Sequence, residues 1–451
     1  MTISQHLADY VLAVSSNSLP EEAKKAARWS FLDGMACMIL GADGDSVTTV
    51  MPYIAAHSSS EECIFPNRSK SKMDAIHCAM LGAISAHSND FDDIGISLNG
   101  HPSALLVPVT TSIGQKLGLP GKAVLDAYIA GAEIDAILGK AALAMGYGKG
   151  WNATNFIGIF GAVAAIGKLM GLDRDKIAAA LCIAVNEASG FKANFGSKAK
   201  DIAIGMTALK AISSAEYAAY GVDACLDAFE GPFGFFQSMF GMCNAPAINA
   251  LINEHKSDFI VPGIIMKPYP SCRGTHCGID CTAKIIARNS FTLDDVRNVT
   301  CRMDQASYDA DRYLRPQTPG QAKFSMAYCI ARVISAGGIT IEDFIGNEIH
   351  DSRSVEFASK VNIICEPESF PDSRFGAEVT IELNDGNVYS EKEYYGKGDP
   401  LNRMSDTEVL DKLAACLRSS LGEEKLEERV ALLSSFDRAG DIREIFPAYN
   451  R

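Results

Sequence analysis

The polar window between Ser88 and Pro108 holds three carboxylates, Asp90, Asp92 and Asp93, and one imidazole, His101, in the run Asn-Asp-Phe-Asp-Asp-Ile-Gly-Ile-Ser-Leu-Asn-Gly-His-Pro-Ser. Apolar stretches flank it on both sides. Acid–base chemistry needs titratable groups held where water is scarce, and this window supplies them. Gly100-His101-Pro102-Ser103-Ala104-Leu105 reads as a helix start, with Pro102 suited to the first turn. A histidine at a helix N-terminus tends to be neutral, because the dipole disfavours its proton. Such an imidazole can act as a base or as a hydrogen-bond donor. The plainer alternative is that Asp90 and Asp93 only cap helices and His101 is a satisfied loop residue.

Two further runs put cations at helix starts. Gly196-Ser197-Lys198-Ala199-Lys200-Asp201 stands before a helix expected over 202–220. Lys267-Pro-Tyr-Pro-Ser-Cys-Arg-Gly-Thr-His276 leads into a helix expected over 277–288, with Lys267, Arg273 and His276 as its charged or titratable members. Cations oppose the dipole in such places. They become sensible if an anion binds there too, since backbone N–H groups and ammonium then converge on it. The alternatives are an ordinary solvated lysine pair and a rigid surface loop stiffened by the prolines around Tyr269. Of the eight histidines, only His101 and His276 have a convincing chemical setting in the sequence. Cys272, Cys277 and Cys281 fit neither a zinc ribbon nor an iron–sulfur pattern, so no metal site is expected. No phosphate-loop, dinucleotide-binding, nucleophile-elbow or zinc-helix spacing occurs.

These residues must be positioned by the elements around them. Helical patterns recur at 74–87, 103–117, 121–145, 153–170, 174–188 and 202–220, with breaks at Gly-Leu-Pro-Gly 118–121 and Gly-Leu-Asp 171–173. Glu21 and Glu22 follow Pro20 at another helix start, and Trp29, Phe31, Leu32, Met35 and Met38 continue it. After about 260 the character changes. Strand patterns cover 296–302, 359–365 and 377–383, Asn384-Asp385-Gly386 signals a turn, and 387–395 alternates again as the second arm of a hairpin. A helix is expected at 324–336, and an amphipathic one at 405–421. The expected fold is mainly α: a large all-helical domain, 1–262 completed by 402–451, with an inserted smaller α+β domain at 263–401.

With 451 residues, 47% apolar and 21% charged, the chain has ample material for two cores. The net charge of −14 argues against nucleic acid as a partner. The apolar stretch at 156–170 is shorter than a bilayer span and carries Lys168, so it reads as a buried helix and no membrane partner is expected. Thirteen scattered cysteines and a start lacking a basic region before an apolar run suggest reduced thiols in a cytoplasm.

In order and spacing, these stretches resemble the MmgE/PrpD family of 2-methylcitrate dehydratases and cis-aconitate decarboxylases. The resemblance rests on Asp90-Phe91-Asp92-Asp93, His101-Pro102-Ser103, Gly150-Trp151-Asn152-Ala153-Thr154, Lys200, Lys267-Pro268-Tyr269-Pro270-Ser271-Cys272 with His276, and Ala322-Lys323-Phe324-Ser325-Met326-Ala327-Tyr328. It implies a helical domain carrying an α+β lid with the site between them, a homodimer, no metal or organic cofactor, and a small di- or tricarboxylate substrate. It implies His101 as base or acid at the reacting carbon with Asp90 orienting it. His276 and Tyr328 would move the second proton, and Lys200, also a candidate catalytic base, would hold a carboxylate with Lys267 and Arg273. Lys267, Arg273, Asn152 and Asp93 would bind substrate. The chain departs from the family pattern at Ile94, Asn152 and Ala203, and by one residue added between Asp90 and His101. Three functions therefore stand: a dehydratase or decarboxylase; an epimerase of a dicarboxylate such as iminodisuccinate, with Tyr147 and Lys200 as opposed bases; and a non-catalytic carboxylate-binding protein.

Overall fold

The computed structural model describes residues 1–449 except 149, 196, 256–258, 260, 312, 347–348, 350 and 372–374, and of 262 and 447–449 only the main chain. Gly196, in the second cation-bearing run, therefore lies outside the described residues. The chain forms two compact units: one comprises Met1–Ser88, Asp92–Ile265 and Asp406–Arg451, the other Asn89–Phe91 and Met266–Ser405. It is mainly α, and no helix among the described residues is long and apolar enough to cross a membrane.

The larger unit is built of helices around a nearly wholly buried one, Ala75–Ser88. That helix is apolar or small on every side, which is the pattern of a helix with no solvent face. Against it pack Glu21–Gly41, Pro102–Leu117 and Lys198–Ala219. The approach to Pro102–Leu117 is close: a Cβ on Gly82 would stand 2.8 Å from Pro108 Cβ, so glycine is required there. Leu81, Ile84, Leu105 and Leu106 of these two helices are fully buried, and truncating any of them to alanine would cost roughly 2–5 kcal/mol. The amphipathic Asp406–Leu421 helix returns to pack on Glu21–Gly41.

Two helix expectations are corrected. The stretch 153–170 is two helices, Ala153–Phe156 and Gly158–Leu169, broken at Ile157, whose φ of −100° departs from helical geometry. The expected 202–220 helix begins earlier, at Lys198. Ser197 supplies the extended cap residue and Asp201 the favourable first-turn acid, so Lys198 and Lys200 lie within the first turn and not ahead of it.

The smaller unit carries a four-stranded sheet in the order Val361–Cys365, Val296–Met303, Ala377–Leu383, Val388–Glu393. The first pair is parallel and the other two antiparallel. Strict alternation buries Ala377, Val379, Ile381 and Leu383 on one face. There they meet Cys277, Cys281 and Ile285 of the His276–Arg288 helix and Ile330 and Ile334 of Met326–Ala336. The hairpin turns at Asn384-Asp385-Gly386, with Gly386 at φ +94°.

Candidate active site

In the larger unit, the central helix ends at Ser88 and delivers His87 to its last turn. The chain then runs through Asp92 and Asp93 into the short strand Ile94–Gly95, which pairs with Ile264–Ile265. The loop closes on itself where Gly95 N–H donates to Gly100 O at 2.8 Å. Gly100 presses against Thr154, since a Cβ would meet Thr154 N at 2.8 Å, and Thr154 Oγ1 accepts from His101 N at 3.0 Å. His101 is the cap residue of Pro102–Leu117, with Pro102 in the first turn. Its side chain makes no capping bond. The N-terminal cap comes from Asp93, whose carboxyl accepts from Ser103 N at 3.1 Å and from the Ser103 hydroxyl.

The His101 ring is fixed at Nδ1. That nitrogen lies 2.7 Å from Asp93 O, which can only accept, so Nδ1 carries a proton. Asp92 Oδ2 stands 3.3 Å from the same nitrogen and 2.6 Å from His87 Nδ1. The two imidazoles lie edge to face, 4.9 Å between centroids. Asp92 and His87 are buried, whereas the His101 side chain is 21% exposed. In a neutral His101 ring the lone pair is then on Nε2, on the one member of the cluster that solvent reaches. The three side chains could each offer a metal ligand within 4.8 Å of one another. A cation bound through His101 Nδ1 would have to displace the proton that the Asp93 carbonyl accepts.

The structure places Asp92, a residue given no role from the sequence, beside His101, and it corrects one expectation. Asp93 does not face outward to a substrate: its carboxyl is wholly buried and committed to Ser103, whose hydroxyl also bonds the Tyr128 hydroxyl at 2.7 Å. Burial pushes the Asp93 carboxyl up to about 8; the Ser103 hydroxyl opposes that rise, while the charges of Asp33 and Asp92 add to it. The Asp93 carboxyl thus holds its proton to a higher pH than a free carboxyl does.

The other larger-unit candidates have separate settings. Lys200 is half-buried on the first turn of Lys198–Ala219, its ammonium over the Phe195 ring at 5.7 Å. Lys198 is paired with Asp45 at 2.7 Å. Tyr147 is buried, its hydroxyl donates to Trp151 O at 2.9 Å, and burial raises its pKa well above that of a free phenol. A role as general base is therefore disfavoured. Asn152 is buried and caps Ala153–Phe156 through Thr154 N at 3.3 Å, which leaves it a local structural task in place of the expected substrate contact.

In the smaller unit Asp90 pairs with Lys267, the pair expected to work apart. Lys267 Nζ donates to Asp90 O at 2.8 Å and lies 3.4 Å from Oδ1, with the lysine side chain 1% exposed. Asp90 holds a left-handed φ of +54°, and this bond secures that turn. Arg273, expected to grip a carboxylate, is instead a clamp on the chain: its Nη1 donates to Lys397 O at 2.7 Å and its Nη2 to Gly396 O at 2.8 Å, fully buried. His276 is buried beside it, with Nδ1 3.3 Å from Arg273 Nη1 and Nε2 3.2 Å from Ser271 O. Tyr269 donates to Asp280 at 2.7 Å. Tyr328 is fully buried with its hydroxyl unpartnered among the described residues, and burial raises its pKa.

The MmgE/PrpD N-terminal domain matches residues 5–246 and the MmgE/PrpD C-terminal domain residues 269–437. The chain belongs to the MmgE/PrpD family. Curated relatives are cis-aconitate decarboxylases. The Homo sapiens protein is 22% identical, covering 98% of this chain and 93% of its own length. That of Aspergillus terreus (strain NIH 2624 / FGSC A1156) is 23% identical, covering 99% and 96%. A cis-aconitate decarboxylase-like protein of Aspergillus oryzae is 22% identical, covering 98% and 96%.

For this MmgE/PrpD chain the sequence reading missed His87 and gave Asp92 no role. His87 precedes Asp92 by five residues across a helix end, so no helical or strand period links them. The available signal was a histidine in the last turn of an otherwise apolar helix, immediately before a run of carboxylates.

Proposed function

We propose that this protein is a cofactor-independent lyase, working as a cytoplasmic homodimer, that exchanges a proton at a carbon next to a carboxylate of a small di- or tricarboxylate. The observation that carries the reading is His101: Nδ1 is pinned by Asp93 O and Asp92, and the ring is the accessible member of an otherwise buried cluster. Family membership and relatives named for cis-aconitate decarboxylation support the lyase class. Decarboxylation breaks a carbon–carbon bond, moves its electron pair across the substrate and needs a proton delivered to carbon. Dehydration needs a proton taken from carbon as hydroxide leaves. Either direction uses one imidazole nitrogen with a fixed partner on the other, which is what His101 offers. Lys200, half-buried over an aromatic ring, is the proposed cation for a substrate carboxylate.

The epimerase reading loses support because Tyr147, one of its two bases, already donates to Trp151 O. The test is incubation of the purified protein in heavy water with cis-aconitate, citrate, 2-methylcitrate and iminodisuccinate, followed by proton NMR. Loss of carbon dioxide with one deuteron placed on carbon, or loss of water with one proton removed from carbon, fits the proposal. Deuterium exchange into recovered substrate without either loss indicates the epimerase. Thermal stabilisation by a carboxylate with no chemistry indicates a binding protein.

A further inference from the structure

We infer that His87 is a positioning residue for His101, acting through Asp92. The inference rests on the reading of His101 as the proton-transferring group. Three observations lead to it. His87 Nδ1 lies 2.6 Å from Asp92 Oδ2, the oxygen that stands 3.3 Å from His101 Nδ1. His87 Nε2 is buried with no hydrogen-bond partner among the described residues. A proton on Nε2 would therefore be a buried donor with nothing to receive it, so the ring's proton sits on Nδ1 and points at Asp92. Finally, His87 is itself 1% exposed and sits in the last turn of a nearly wholly buried helix, so its ring has little freedom to move.

The consequence is a directional chain. His87 donates to Asp92 and holds that carboxylate where one oxygen faces the Nδ1–H of His101. The Asp93 carbonyl takes the same proton from a second side. Together they keep the His101 proton on Nδ1 and the lone pair on Nε2, the tautomer the proposed reaction needs. His87 touches no reacting atom in this account. Without its donor, Asp92 Oδ2 would lose the 2.6 Å bond to His87 and could rotate away from His101.

The test compares His87→Phe with His87→Asn. Phenylalanine fills the space of the ring and is tolerated where Nε2 has no polar partner, but it donates nothing. The asparagine amide can place an N–H close to the position of Nδ1 and so restore the donor. With ring-15N-labelled histidine, the His101 nitrogen shifts report its tautomer in the folded enzyme, without substrate. The expected result is a fixed Nδ1–H tautomer in the native protein, a mixed population in His87→Phe, and recovery in His87→Asn. With cis-aconitate as the probe substrate, His87→Phe should lose kcat by about ten- to a hundredfold with KM little changed, as when a group orienting a functional imidazole is removed. Identical His101 shifts in the native and His87→Phe proteins, both folded, would overturn the inference. So would failure of His87→Asn to restore the tautomer. His101→Gln separates the two claims: full turnover in that variant defeats the reading of His101 as the proton-transferring group while leaving the tautomer result to stand or fall alone.

Discussion

Replacing Asp93 by asparagine should make the larger unit less sensitive to pH. The Asp93 carboxyl is fully buried and pushed up to about 8, first by burial and further by Asp33 and Asp92, against the Ser103 hydroxyl. In the unfolded chain the same group titrates near 3.9. Between about pH 4 and about pH 8 the folded state therefore holds a proton that the unfolded state has released. Stability from this residue is complete below the lower value and is lost as pH rises through the upper one. The slope for one proton is about 1.4 kcal/mol per pH unit, so the loss over the window approaches roughly 5 kcal/mol, an upper limit for a group that can relax when it ionises. Asparagine is a neutral isostere of the protonated acid: its oxygen can accept from Ser103 N–H, and its amide in the place of Oδ2 would donate to the Ser103 hydroxyl, reversing the direction that bond has with the native carboxyl. Urea unfolding of both proteins at pH 5, 6, 7 and 8 is the assay. The variant should gain on the native protein at each step, by about 1 kcal/mol per unit. Parallel stability curves across that range would refute the reasoning, because they would mean that Asp93 is already ionised in the folded protein.

Three other outcomes follow from the geometry. Lys412 and Asp33 form a buried ion pair at 2.5 Å, so Lys412→Met alone should destabilise by about 3–5 kcal/mol, and adding Asp33→Leu should recover most of that loss in denaturant unfolding. Arg273→Lys should leave one of the carbonyls of Gly396 and Lys397 without its donor, costing about 1–3 kcal/mol, with hydrogen exchange quickening at 395–399 before the strands of the sheet. Gly100→Ala would drive a methyl into Thr154 N, displacing the His101 loop; turnover should fall at least tenfold while the unfolding free energy drops only by about 1–3 kcal/mol.

How far the sequence could be read depended on the range of the physics. The helix Ala75–Ser88 was legible because it is apolar on every side, and the hairpin at 384–387 because Asn-Asp-Gly is local turn chemistry. The first-turn place of Lys198 and Lys200 was not, since cations there oppose the dipole and Asp201 offsets them only within the folded helix. The candidate site divides the same way. Pro102 and the small residues after it announced the His101 helix, so His101 stood out. The cap on that helix reaches back ten residues to Asp93, the acid beside His101 is Asp92, and Arg273 spends its guanidinium on carbonyls over a hundred residues away. Each of these pairings belongs to tertiary structure, and residue type alone could not choose among three neighbouring carboxylates.

The most direct test of the account is turnover of cis-aconitate and related polycarboxylates by His101→Ala, followed by proton NMR and accompanied by an unfolding curve. The account predicts a folded protein whose rate is lower than the native enzyme's by roughly two to four decades. A folded variant that turns over substrate at the native rate would contradict it.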